Sequence, residues 1–362
     1  MDYLQYSDAI EQTQLDEAAM IEEIVAAMER VNLRVFDKHR HGVRDAHAKS
    51  HGVLKGQLIV DDGLPAHLAQ GLFARPGAYD LIIRLSSAPG DILSDKAPAP
   101  VGMAVKVLGV TGERLLAGDA SGSQDFLLVN APTIPFGEVK AYRDLQHTLE
   151  TLDAVPDPLQ AAAGALARGA RTALETVGVT PPALLEVLAS ANDHILGQTF
   201  HSMAAIRFGD HVAKISAAPD SAEVKALTGV EVDARLGDSA QRDQVTAFFR
   251  QHGAEYRVRA QLCTDLAAMP VEDASVLWPE SQSPQQPIAR IVIPTQEAYS
   301  PARRVFADDV LSFNPWRGIA AHRPLGSLMR ARRRAYEASS LRRHELNAQA
   351  QREPADISEL PD

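Results

Sequence analysis

The chain of 362 residues carries 36 Lys and Arg against 47 Asp and Glu, a formal charge of −11, which argues against broad binding to nucleic acid or to anionic membrane surfaces. Apolar residues make up 45% of it, enough for a sizeable core in one large domain or two, but aromatics only 5%, so Leu, Ile, Val and Met must wall any large pocket. The single cysteine, Cys263, excludes an intramolecular disulfide, a Cys-rich zinc site and an iron–sulfur cluster.

The opening residues, Met1 to Gln5, have no basic stretch leading into an apolar one, and no apolar run is long enough to span a bilayer, so a cytoplasmic location is expected. Residues 14–34 place Ala18, Ile21, Ile24, Val25, Met28 and Val31 on one stripe with acids opposite, which predicts a helix. Residues 1–38 thus read as a helical arm that packs on the body or on another subunit, compatible with a homodimer. Residues 53–130 are strand-rich, with short runs such as Leu81–Leu85, Ala104–Leu108 and Asp125–Val129 punctuated by Pro, Gly and Asp, as in antiparallel barrels.

Composition turns helical over residues 138–195, dense in Ala around 160–168 and with Pro181-Pro182 opening a helix. Strand signals resume at Thr199–Arg207 and Val212–Ser216, joined by a hairpin at Phe208-Gly-Asp-His211. A short helix is expected over 239–250, strands over Glu255–Cys263 and Ile288–Ile293, and a basic helix over 315–346. Residues 346–362 are polar, acidic and Pro-containing, and read as a disordered tail. Cys263 lies in an alternating strand and reads as a buried structural thiol.

Two sets of residues carry chemistry. Arg332 precedes Tyr336 by four positions, so on a helix both share a face and the guanidinium can reach the phenol oxygen and stabilise its phenolate. Read alone, the six arginines between Arg330 and Arg343 also fit a solvated basic helix or one for an acidic partner. Upstream, His47 and His51 are four apart with His39 and His41 close by. Zinc needs three or four ligands, and two histidines on one helix face could supply half; the local composition favours a loop entering a strand instead.

Five blocks in order carry a family resemblance. Arg44-Asp-Ala-His47-Ala48-Lys49, followed by Gly52 and an apolar strand, resembles the catalase signature. Ile83-Arg84-Leu85-Ser86-Ser87 resembles that family's Arg-Phe-Ser strand, Val101–Lys106 its Gly-x-Ala-x-Lys strand, and Asp125–Pro132 its Asp-Leu-x-x-Asn-Asn-x-Pro block. The stretch from Phe313-Asn-Pro-Trp316 to His322-Arg-Pro-Leu-Gly326 is similar to the compact, catalase-related haem proteins and, more distantly, to coral-type allene oxide synthase. The resemblance spans roughly residues 40 to 340 and implies an α+β fold: a catalase-like antiparallel β-barrel over residues 39–345, with inserted helices and a C-terminal one.

It further implies a haem b cofactor whose iron is held by the phenolate of Tyr336, kept charged by Arg332. His47 would be the distal histidine, moving protons during O–O cleavage, for which a group titrating near neutrality is suited. Ser86 would hold His47 from behind, and Arg44 and Arg84 would pair with haem propionates. Asn130 is the expected distal amide, catalytic beside His47; an ungapped alignment puts Val129 at that position instead, so both placements stay open. Ala46 stands where catalases carry valine, leaving room for a larger hydroperoxide.

The implied reaction is reduction of hydrogen peroxide or an organic hydroperoxide by a small-molecule reductant: a peroxidase with weak catalase activity. Two alternatives stand beside it. One is a haem enzyme that rearranges a lipid hydroperoxide or acts as a peroxygenase. The other is a haem-binding protein without enzymatic activity, favoured by Val129 and disfavoured by the joint presence of His47, Arg332 and Tyr336.

Overall fold

The computed structural model describes residues 2–152 and 192–362, with the side chains of 148–152 left aside. Nine strands are present among them: β1 (Ser50–Val60), β2 (Gly77–Ser87), β3 (Val101–Val107), β4 (Gln124–Val129), β5 (Phe200–His201), β6 (Ile206–Phe208), β7 (His211–Pro219), β8 (Ala254–Leu262) and β9 (Gln286–Ile293). All neighbours are antiparallel. Strand β5 pairs with β4 through Val129 and His201 and with β7 through Phe200 and Ala217, so the sheet closes on itself. The result is an eight-stranded antiparallel barrel, with β6 added to β7 as a hairpin. Closure pairs the strand edges that an open sheet would expose.

Period-two alternation explains why β2 is buried on both faces. Leu81, Ile83 and Leu85 point into the barrel with Val105, Ile215, Tyr256 and Ile291. Ile82 points outward, onto Val53, Ala104, Leu127, Phe306 and Leu311. Arg84 and Ser86 have the parity of Ile82 and therefore lie on that outer face, as do Gly102 beside Ala104 and Val129 beside Leu127.

Helices cover this face. α1 (Glu17–His39), α2 (Val139–Leu152) and the C-terminal helix α4 (Ser327–Leu346) meet through Ile24, Met28, Val139, Ala331 and Ala335; α3 (Ala240–Phe249) packs elsewhere, on β1. The buried stripe of α1 runs through Met20, Ile24, Ala27, Met28 and Val35, leaving Ala18 exposed, and it packs on α2 and α4 of its own chain. No helix among the described residues is long and apolar enough to cross a membrane. Beyond α2, the rest of the helical excursion expected to residue 195, including its Ala-rich and Pro-Pro segments, lies outside the described residues up to residue 191.

Three expectations are corrected. The basic helix begins at Ser327 and not at residue 315, because Pro315, Gly318 and Pro324 interrupt the preceding stretch, and Gly326 adopts φ +93° where a Cβ would meet Val271 O at 2.3 Å. Its arginines are not simply solvated: Arg330 pairs with Glu11 and Glu17 at 2.6 Å, Arg334 with Glu22 at 3.1 Å, and Arg342 with Glu29. The acidic partner of the basic helix is the chain's own N-terminal region. Finally, the tail expected to be disordered folds back onto the barrel. Leu360 is buried beside Val53 and Ile82, and Glu353 reaches Lys106 at 2.9 Å and Arg317 at 3.0 Å. One apolar anchor and one acid facing two buried cations hold a segment whose composition alone looks unstructured.

Candidate active site

A cavity of about 300 Å³ lies between the outer face of β2–β4 and the helices, a size within the range of ligand pockets. His47 enters it from the loop between α1 and β1. Its backbone is left-handed, φ +59°, and is pinned by a hydrogen bond from its N–H to Ala88 O at 2.9 Å. Its Nδ1 lies 3.1 Å from Ser86 Oγ, leaving Nε2 as the ring nitrogen without that partner. The ring lies directly over Gly102, where a Cβ would come within 2.6 Å of it. Burial, followed by the nearby charges of Arg84 and Arg332, pushes the imidazole pKa down to about 3. His47 is therefore a neutral base over the physiological range, oriented by a serine behind it.

From the helix side α4 presents Arg332 and Tyr336. Arg332 Nη2 donates to Tyr336 Oη at 2.9 Å, and its Nη1 lies 3.5 Å from Met329 Sδ. One guanidinium thus touches the phenol oxygen while its charge reaches across to His47.

Three more arginines converge on the cavity. Arg44 contacts Asp308 at 3.2 Å and the carbonyl of Leu311 at 2.8 Å; Arg84 contacts the same Asp308 at 3.1 Å and Ala48 O at 3.1 Å. Arg343 donates to the Asp308 and Leu311 carbonyls. Burial, with Arg84 as the next cause, lowers the Arg44 guanidinium well below its usual value and Arg343 to about 10. Two of these guanidiniums share the Asp308 carboxylate and Arg343 meets only carbonyl oxygens, which leaves the three short of negative charge. An anionic ligand with carboxylates on this side would supply it.

The remaining walls are mainly apolar, among them Met28, Ile134, Phe313 and Leu328. Val129 is one of them and Asn130 is not. Asn130 Oδ1 accepts from Val101 N at 2.9 Å and its Nδ2 points to Gln198 Oε1 at 3.3 Å. A shift of one residue at a strand end reverses the face, so the amide expected beside His47 is turned away. The zinc alternative also fails: His39 binds Asp91, His41 Asp309 and His51 Ser87, and no group of three or more His, Cys, Asp or Glu suited to a metal occurs among the described residues. Cys263 is buried away from the cavity beside Met269 and Trp278, and burial raises its thiol pKa to about 11.

Sequence reasoning missed Asp308 and did not single out Arg343 or the seat that Gly102 gives His47. Arg343 was within reach, since it lies seven residues beyond Tyr336 and shares its helix face. Nothing local marks Asp308, whose role exists only where Arg44 and Arg84 meet.

Among solved structures, catalase A from Saccharomyces cerevisiae is 16% identical with a TM-score of 0.58, over 99% of this chain and 75% of that one. The fold is that of catalases. A fungal catalase is similar at 15% identity and TM-score 0.55, covering 99% of this chain and 72% of its own, and a bacterial catalase at 14% and 0.57, covering 97% and 67%. No protein-family model and no curated protein matches the sequence. Within the catalase-like fold, the blocks that resemble catalase in sequence come together. Lys106 and Asp125, from two different blocks, form a buried ion pair at 2.8 Å, and His47 and Ser86, from two others, meet in the cavity.

Proposed function

We propose that the protein is a haem b-dependent peroxidase with weak catalase activity, using the cavity between β2–β4 and α4. The observation that carries this reading is the convergence on one apolar cavity of a neutral base, His47 held by Ser86, and a guanidinium-bound phenol, Tyr336 held by Arg332. The donor set fits haem. A phenolate is a known ligand for ferric iron, and Arg44, Arg84 and Arg343 lack the anionic charge that two propionates would bring. When bound, haem would supply the redox equivalents for reductive cleavage of the O–O bond.

The chain's own residues do the rest. Tyr336 would hold the iron through its phenolate oxygen, and Arg332, donating to that oxygen, favours the deprotonated form. His47 Nε2 takes a proton from the hydroperoxide and returns it to the departing oxygen, while Ser86 fixes the ring's orientation. Val129 offers no hydrogen bond where an amide would, which lowers efficiency toward hydrogen peroxide. With Ala46 small at the cavity and the walls apolar, it favours an organic hydroperoxide. The same features favour, as a second reading, rearrangement of a lipid hydroperoxide.

The deciding experiment is the absorption spectrum of haem-loaded protein beside Tyr336→Phe. A high-spin ferric spectrum whose charge-transfer band is lost in the variant is expected. Absence of stoichiometric haem, or identical spectra, would overturn the reading.

A further inference from the structure

A second cleft, of about 660 Å³, opens on the far side of Arg44. Its walls come from the end of α1 and the loop after it, the start of β1, α3, and the segment from Tyr299 to Asp309. Arg44 lines both this cleft and the candidate haem cavity, so its side chain borders both spaces.

The cleft has cations to spare. Arg44, Lys49, Arg242 and Arg304 face it, against Asp238, Asp308 and Asp309; Lys49 is paired with Asp95 at 2.7 Å and Arg44 with Asp308, which leaves Arg242 and Arg304. Those acids are already engaged: Asp308 by Arg44 and Arg84, Asp309 by His41 at 2.6 Å, and Asp238 by Ser94 at 2.7 Å. Arg304 is exposed, and its guanidinium has no ion-pair or hydrogen-bond partner among the described residues. Arg242 has its Nε buried with no acceptor, and the only hydrogen bond of its guanidinium among the described residues is a long 3.4 Å contact from Nη2 to Ser50 O. Its guanidinium carbon lies 4.3 Å from the centre of the Tyr299 ring. A buried N–H without an acceptor is destabilising, and a bound anion would relieve it. The Arg242–Tyr299 stack supplies planar π surface beside that donor.

We propose that this cleft binds a small aromatic carboxylate bearing a phenolic hydroxyl, and that this compound is the electron donor of the reaction. The proposal rests on the peroxidase reading and names its reductant class and site. Carboxylate goes to Arg304 and Arg242, and the ring lies on the Arg242–Tyr299 stack. The phenol then sits on the Arg44 side, next to the candidate haem cavity. Two donor molecules each lose one electron and one proton, becoming phenoxyl radicals. The two electrons and two protons convert one hydroperoxide to alcohol and water.

The test uses full-length protein, with and without haem, and two probes alike in shape: 4-hydroxybenzoate and the neutral 4-hydroxybenzyl alcohol. Calorimetry should show the carboxylate binding about tenfold more tightly, ~1.4 kcal/mol. Arg304→Ala and Arg242→Gln should each abolish that preference. In turnover, Arg304→Ala should raise KM for 4-hydroxybenzoate about tenfold and leave KM for the alcohol, and the rate of reaction with peroxide, unchanged. Equal binding of the two probes, or binding that survives both variants, overturns the site. Binding without any effect of Arg304→Ala on KM overturns the donor role. Protein that takes up no haem refutes the peroxidase reading and the donor role together, while calorimetry on the haem-free chain still decides the carboxylate site.

Discussion

The imidazole of His47 occupies the space that a side chain at Gly102 would need. A Cβ there would fall 2.6 Å from the ring and 3.2 Å from Leu128 O, so neither the histidine nor the backbone leaves room for it. Gly102→Ala therefore forces the ring off its contact with Ser86. The expected result is a folded variant that retains haem but reacts with hydroperoxide on the order of 10²-fold more slowly, the scale of a positioned acid–base group. Stopped-flow mixing with a hydroperoxide reads it, and a rate equal to wild type would show that the ring's seat on Gly102 is unimportant.

His47 is neutral in the folded chain because burial and the guanidinium charges around it disfavour the imidazolium. Its folded pKa, about 3, lies below the unfolded value near 6.5. Between these values the unfolded chain binds more protons, so stability is fully present above about pH 6.5 and declines as pH falls toward 3. His194, His201 and His322, each lowered to about 4 chiefly by burial, act in the same direction. Thermal midpoints should fall steadily from pH 7.5 to 5, and less so in His47→Gln. The hydroperoxide reaction rate of wild type should stay flat over that same interval, since the base remains unprotonated.

Asp308 is the one carboxylate shared by Arg44 and Arg84. Asp308→Asn leaves the buried guanidiniums without a counter-charge. The haem-free variant should lose stability, by at most about 3 kcal/mol given the carboxylate's partial exposure. Haem loading should restore much of that loss if its carboxylates meet these arginines. Comparing denaturation midpoints of the four forms tests this directly; an equal loss with and without haem would place the propionates elsewhere.

Lys106 and Asp125 are fully buried side chains from β3 and β4, tied to Arg317 at 3.3 Å and to Glu353 of the tail at 2.9 Å. Removing only the cation, Lys106→Met, should cost about 3–5 kcal/mol because it strands buried acids. Lys106→Met combined with Asp125→Leu should cost clearly less than the sum of the single changes. Urea denaturation of the three variants decides it. Truncation at Gln351 should also destabilise the chain, since it removes Glu353 and Leu360 together.

Much of this protein was legible along the chain. Period-two runs announced the barrel strands, the four-residue spacing of Arg332 and Tyr336 put both on one helical face, and the blocks around His47, Arg84, Lys106 and Asp125 pointed to a catalase-like fold. These are local properties, set by backbone period and by short motifs. Tertiary structure decided the rest. Whether Val129 or Asn130 faces the cavity depends on where β4 ends and how it meets β5, a pairing more than 70 residues apart that shows only when the barrel closes. The arginines of α4 found partners among the glutamates of α1, about 300 residues upstream, and the tail found its place through Glu353 and Leu360. Asp308 acquires its role only by standing between Arg44 and Arg84. Charge and burial act through space, and no spacing in the sequence records which distant groups the fold will bring within reach.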